Sequence, residues 1–189
     1  MIQLELGLLS QPNVEAPRVV ASTVLRKHRL RNDVLRRVAY ARRYFPELEG
    51  ETITVGLTRA ANGMAVPGGS RIWLNPSRLT YHTIAHELVH LLQLRDLGIP
   101  SGEKACDVFS LARHWTLNDD RPSYIRIPVD ILDPNDRLHD QQARMVFEVA
   151  HEAVAQRSQG MRRYLSFFEE EVARRAVRGR RWLEVLPPR

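Results

Sequence analysis

Between positions 22 and 44 the apolar residues Leu25, Leu30, Val34, Leu35, Val38 and Ala41 recur at helical spacing, and Pro46 stops the run. This predicts an amphipathic N-terminal helix. Its other face carries Arg26, Arg29, Arg36, Arg37, Arg42 and Arg43, which could grip phosphates but read first as a solvated surface. Positions 52–57 alternate in the manner of a strand, and 71–74 form a second short strand after turns at Gly63 and Pro67-Gly68-Gly69. Asn75-Pro76 then resembles a helix cap with a first-turn proline, Thr80 being a later alternative start. Leu79, Ile84, Leu88, Leu91 and Leu92 carry the helical pattern on to Leu97, before Gly98 and Pro100 end it. Ser101 can cap a further helix whose Ala105, Val108, Phe109, Leu111 and Ala112 face a core. Positions 116–134 read as irregular, with a short strand at 124–127, and two helices follow at about 135–158 and 160–178.

No linker, repeat or low-complexity tract divides these elements, so residues 1–189 are read as a single domain of α+β class. The expected architecture is a small, mostly antiparallel sheet carrying the 75–97 helix, with the N-terminal helix and a C-terminal helical pair packed around it. A chain of this length can bury roughly 70% of its unfolded surface and needs no covalent staple.

Composition narrows the chemistry. Cys106 is the only cysteine, which excludes an internal disulfide and any multi-cysteine zinc or iron–sulfur site within the chain. The opening MIQLELGLLSQPNVEAP has no basic segment before an apolar run and does not read as a signal peptide. No apolar stretch approaches the ~18 residues of a membrane span. The expected compartment is the cytoplasm. The net charge of +6 admits nucleic acid as a partner, but Lys27 and Lys104 are the only lysines, an arginine bias that a GC-rich genome produces on its own.

His86-Glu87-Leu88-Val89-His90 places two imidazoles at i and i+4, on one face of a helix, with a glutamate beside them. That spacing suits a single zinc ion, with Glu87 able to take a proton from its bound water. By chance the five-residue pattern should arise in about two chains of this composition in a hundred. A third ligand is available in Glu103, at the start of the next helix, and Asp107 lies one turn further along the same face, where it could orient a ligating histidine. Asp107 is also a rival third ligand. Cys106, between them, points away from their shared face and reads as a small buried apolar residue. His82 reads as an exposed first-turn residue, and His151-Glu152 lacks a second histidine because position 155 is Ala155.

With HExxH followed by Glu103-Lys104-Ala105-Cys106-Asp107, residues 71–114 resemble the gluzincin metallopeptidases, the thermolysin-like class. The resemblance implies a zincin-like fold, one zinc per chain held by His86, His90 and Glu103, Glu87 as general base and Asp107 orienting a histidine. It also implies that the 71–74 strand is the edge strand holding an extended peptide or protein substrate. The interval from His90 to Glu103 is shorter than in the large gluzincins, which suggests a minimal version of the fold. For a group stabilising the transition state, His114, Tyr124, His139, His151 and Tyr164 all remain open. The expected activity is peptide-bond hydrolysis. The alternative is a regulatory or binding module for nucleic acid or protein, in which the zinc site is structural and closed.

Overall fold

The computed structural model describes residues 18–185. The N-terminal segment read above for a signal peptide lies outside them. The elements are β1 (Val19–Ala21), α1 (Thr23–Arg26), α2 (Arg31–Arg42), β2 (Ile53–Leu57), β3 (Gly63–Ala65), β4 (Arg71–Leu74), α3 (Tyr81–Leu92), α4 (Glu103–Leu111), α5 (Asp140–Ser158) and α6 (Tyr164–Val185). The class is α+β, with a four-stranded sheet in the order β1-β2-β4-β3.

The sheet corrects two expectations. It is mixed rather than mostly antiparallel: β1 and β4 both run parallel to β2, and only β3 runs antiparallel to β4. The 71–74 strand is interior. The edge is β3, formed where the sequence suggested only a turn, with Met64 opposite Trp73 and Ala65 opposite Ile72. The antiparallel pair follows from the short connection through Gly68, whose φ of +70° suits the tight turn. Parallel pairing of β2 with β4 follows because β3 lies between them in sequence but outside them in space.

The helices also shift. The N-terminal helix breaks after Arg26: Ser22 caps α1, and the His28 ring accepts the Leu30 N–H at 3.2 Å before α2 begins. Of the six arginines named above, Arg26 donates to the Ala21 carbonyl, Arg42 to Leu48 and Arg37 to Leu79, while Arg36 pairs with Asp33. Thr80, not Asn75, caps α3, its hydroxyl accepting the Thr83 N–H at 3.1 Å. The Asp119 carboxylate takes the next two free donors, from Tyr81 and His82. No strand forms at 124–127, because the Tyr124 N–H goes to the Asp107 side chain instead of a neighbouring strand. α5 starts at Asp140 because the Asp133 carboxylate folds residues 133–137 into a turn.

α3 is the centre of the molecule. His82, Ile84 to Val89, Leu91 and Leu92 are all buried, a pattern of a helix covered on every side. In the single core, Ile53, Val55, Ile72 and Leu74 of the sheet join Ile84, Leu88 and Leu91 of α3 and Val34 and Val38 of α2, all essentially inaccessible. α4 packs against α3, and α5 and α6 close the far side through Val146, Val149, Phe168 and Val172. No helix among the described residues is long and apolar enough to cross a membrane.

Helices α5 and α6 are also joined by charge. Glu171 bonds Arg174 and Arg175 on its own helix, and Arg175 reaches across to Glu152 at 2.7 Å. These hydrogen bonds outweigh the opposing effect of burial and pull the Glu171 carboxyl down to about 2. A carboxyl depressed on folding adds stability above its unfolded value, near 4.5, and loses it as the pH falls toward 2. Glu171→Gln should therefore destabilise by about 1 kcal/mol or less at neutral pH, as suits a partly solvated network. In denaturant titrations the gap to wild type should shrink between about pH 5 and pH 2; a gap independent of pH would contradict this assignment.

Candidate metal centre

His86 and His90 lie one turn apart on α3, and their ring centroids are 5.0 Å apart. α4 brings Glu103 to both. Its Oε2 lies 2.9 Å from His86 Nε2 and 3.2 Å from His90 Nε2. What these atoms can do depends on where the ring protons are.

The outer nitrogens decide it. His86 Nδ1 lies 2.8 Å from Asp107 Oδ1, a carboxylate that can only accept, so the proton sits on Nδ1 and Nε2 keeps its lone pair. His90 Nδ1 lies 2.9 Å from Gln93 Oε1, and the Gln93 amide is oriented by its own donation to the Pro100 carbonyl at 2.7 Å. His90 Nε2 is therefore a lone pair too. Two imidazole lone pairs and a carboxylate oxygen converge with no donor among them. A proton could bridge one pair, whereas a metal ion satisfies all three.

Asp107 is 1% exposed. Its other oxygen accepts the Tyr124 backbone N–H at 2.7 Å. Burial disfavours its charge, but the close His82 ring and the His86 hydrogen bond, with the charge of both, outweigh this and hold the carboxyl far below the ordinary range. For His86, burial opposes the imidazolium, yet the Asp107 bond and charge prevail and raise its pKa in the metal-free protein.

Glu87 points from the same helix toward β3 and is 5% exposed. Burial, with the charge of Glu103 acting the same way and His86 opposing, pushes its carboxyl up to about 7. Its Oε2 has no hydrogen-bond partner among the described residues. Gly63 of β3 makes room for it: a Cβ there would lie 2.5 Å from Glu87 Oε1 and 2.7 Å from Cγ. An unsatisfied buried carboxylate oxygen beside three converging lone pairs is the arrangement that a water bound to a metal would complete.

These groups line a cleft of about 490 Å³ between β3 and α3. Tyr124 also lines it, its ring stacked on His86 at 5.7 Å. The four other residues considered for transition-state stabilisation lie elsewhere. His114 stacks on Tyr44, His139 is near Asp133, His151 neighbours Phe147, and Tyr164 is buried edge-on to Phe109.

Two side chains differ from their sequence reading. Cys106 is buried, but its Sγ does not turn away from the site: it lies 3.3 Å from His90 Nδ1, and burial raises its thiol pKa strongly. His86, His90 and Cys106 each present a ligand atom within 4.8 Å of the others, as do His82, His86 and Asp107. His82 is buried rather than exposed, with Nε2 3.4 Å from Asp107 Oδ1. Gln93 had no place in the sequence reading, and Gly63 only that of a turn glycine. Gln93 sits one turn beyond His90, a spacing available as a signal; nothing in the sequence tied the Gly63 turn to Glu87. The chain matches no family model, no curated protein and no solved structure.

The two acidic residues should separate in a competitive titration using zinc as the probe. Glu103→Ala removes a converging oxygen and should abolish tight binding, whereas Asp107→Ala, which leaves all three lone pairs, should weaken it about 10- to 100-fold. If Asp107→Ala proves the more damaging, aspartate rather than glutamate binds the metal.

Proposed function

We propose that this chain is a zinc metallopeptidase of minimal gluzincin type, acting on peptide or protein substrates. The observation that carries the reading is the convergence of His86 Nε2, His90 Nε2 and Glu103 Oε2 beside the unpaired Oε2 of Glu87. Two imidazoles and one carboxylate are the donor set of zinc sites that keep a fourth position open. When bound there, zinc acidifies a water and offers positive charge to a carbonyl oxygen.

The remaining work falls to the chain. Glu87 takes the proton of the attacking water on its free oxygen and returns it to the departing amine. Asp107 and Gln93 keep the two histidines in the tautomer that presents Nε2. The outer edge of β3 borders the cleft, and an extended peptide can pair with its free backbone groups. Tyr124, which lines the same cleft with its ring against His86, is the residue proposed to steady the oxyanion.

One observation favours a second reading, a closed structural site in a binding module. Cys106 Sγ lies within ligand spacing of both histidines and could fill the fourth position as a thiolate. Cys106→Ser separates the two: zinc affinity stays at the wild-type level if the position is open and collapses if sulfur fills it.

Activity is tested first with wild-type protein on unfolded protein and mixed peptides, where zinc-dependent cleavage is expected. Glu87→Gln should keep zinc and fold and lose roughly 10²- to 10⁴-fold in turnover. Absence of wild-type cleavage, or full activity in Glu87→Gln with zinc bound, would overturn the reading. Gly63→Ala should act on the same carboxylate from the other side. The added methyl displaces the flexible end of Glu87, so stability and zinc content should hold while kcat drops by about 100-fold, the cost of a misplacement near 1 Å.

A further inference from the structure

His82 is unusual for a core residue. It is 5% exposed, and neither ring nitrogen makes a hydrogen bond among the described residues. A phenylalanine or leucine could fill such a space without burying two unpaired nitrogens, so volume does not explain a histidine here. The polar group set against it is Asp107 Oδ1, 3.4 Å from Nε2, longer than a hydrogen bond but close enough for strong electrostatic contact. That same oxygen accepts the His86 Nδ1 proton.

We infer that His82 is a positioning residue, which steadies the Asp107 carboxylate against His86 and thereby strengthens metal binding without itself ligating the metal; this rests on the metal site proposed above. The i to i+4 spacing sets His82 edge-on to His86 on the same helix face, with ring centroids 6.3 Å apart. Asp119 fixes the backbone of His82 by accepting its N–H at 2.9 Å, so the ring is held from behind. Asp107 is thus held from three directions: His86 and His82 at Oδ1 and the Tyr124 N–H at Oδ2. A carboxylate held on all sides cannot swing off His86, and His86 cannot turn its Nε2 away from the metal position.

The set His82, His86 and Asp107 is not read as a second metal site. A cation there would displace the proton shared by His86 Nδ1 and Asp107, and that proton is what leaves a lone pair on His86 Nε2. The two uses exclude each other.

The test is a competitive zinc titration of the full chain, with folding of the metal-free protein followed by circular dichroism. Wild type should bind one zinc per chain. His82→Phe, which keeps a ring but no donor, should keep that stoichiometry and lose about 10-fold in affinity. His82→Gln, whose amide N–H can reach Asp107, should recover most of the loss. In an Asp107→Ala background His82→Phe should have no further effect, because the carboxylate it acts through is gone. Should His82→Phe fail to fold, His82→Leu takes its place. Unchanged affinity in the donor-free variant, no recovery with glutamine, or an undiminished effect without Asp107 would each overturn the inference while leaving the metal site standing. Two zinc ions in wild type and one in His82→Phe would overturn it in favour of a second site. If wild type binds no zinc, the metal reading itself fails.

Discussion

The contact between Glu103 and the two histidines organises the site, because it joins three lone pairs that repel unless something positive lies among them. Glu103 is the first residue of α4, and its reach toward α3 is set by the loop before it. Gly98 and Gly102 turn that loop with φ of +68° and +100°, values that side-chain-bearing residues rarely adopt. Gln93 ties the loop's Pro100 carbonyl to His90. One side chain therefore sets both the tautomer of a histidine and the approach of the helix that carries Glu103.

Burial makes these polar groups effective. α3 lies between the sheet and α4, so His86, Glu87 and Asp107 are removed from water and their interactions are strengthened. The same burial would be costly for an unpaired charge, and the protein meets that cost unevenly. Asp107 is satisfied from several directions, whereas Glu87 retains one free oxygen. The satisfied carboxylate orients, and the unsatisfied one remains available for chemistry.

Much of the site could be read in the sequence, because it rests on spacings within helices. HExxH sets two imidazoles on one face of α3, and the four-residue step from Glu103 to Asp107 does the same on α4. What lay across space was not legible. β3 is three residues beginning at a glycine, too short to show alternation, so the sequence points to β4 as the edge strand. His82 stood at the right spacing to join His86, but its burial depends on side chains such as Asp107 that arrive from elsewhere in the chain. Cys106 was misjudged because α4 is buried on more than one face, from Ala105 to Leu111, so leaving the Glu103 face does not mean leaving the site. The break after Arg26 turns on one side chain, the His28 ring capping Leu30, which apolar periodicity does not register.

X-ray absorption at the zinc edge of the loaded protein tests the central claim most directly. The account predicts one zinc per chain with nitrogen and oxygen neighbours at about 2.0 to 2.2 Å, two of them imidazoles, and no sulfur. A sulfur neighbour at about 2.3 Å would place Cys106 on the metal and close the site. A shell without two imidazoles would contradict the convergence of His86, His90 and Glu103.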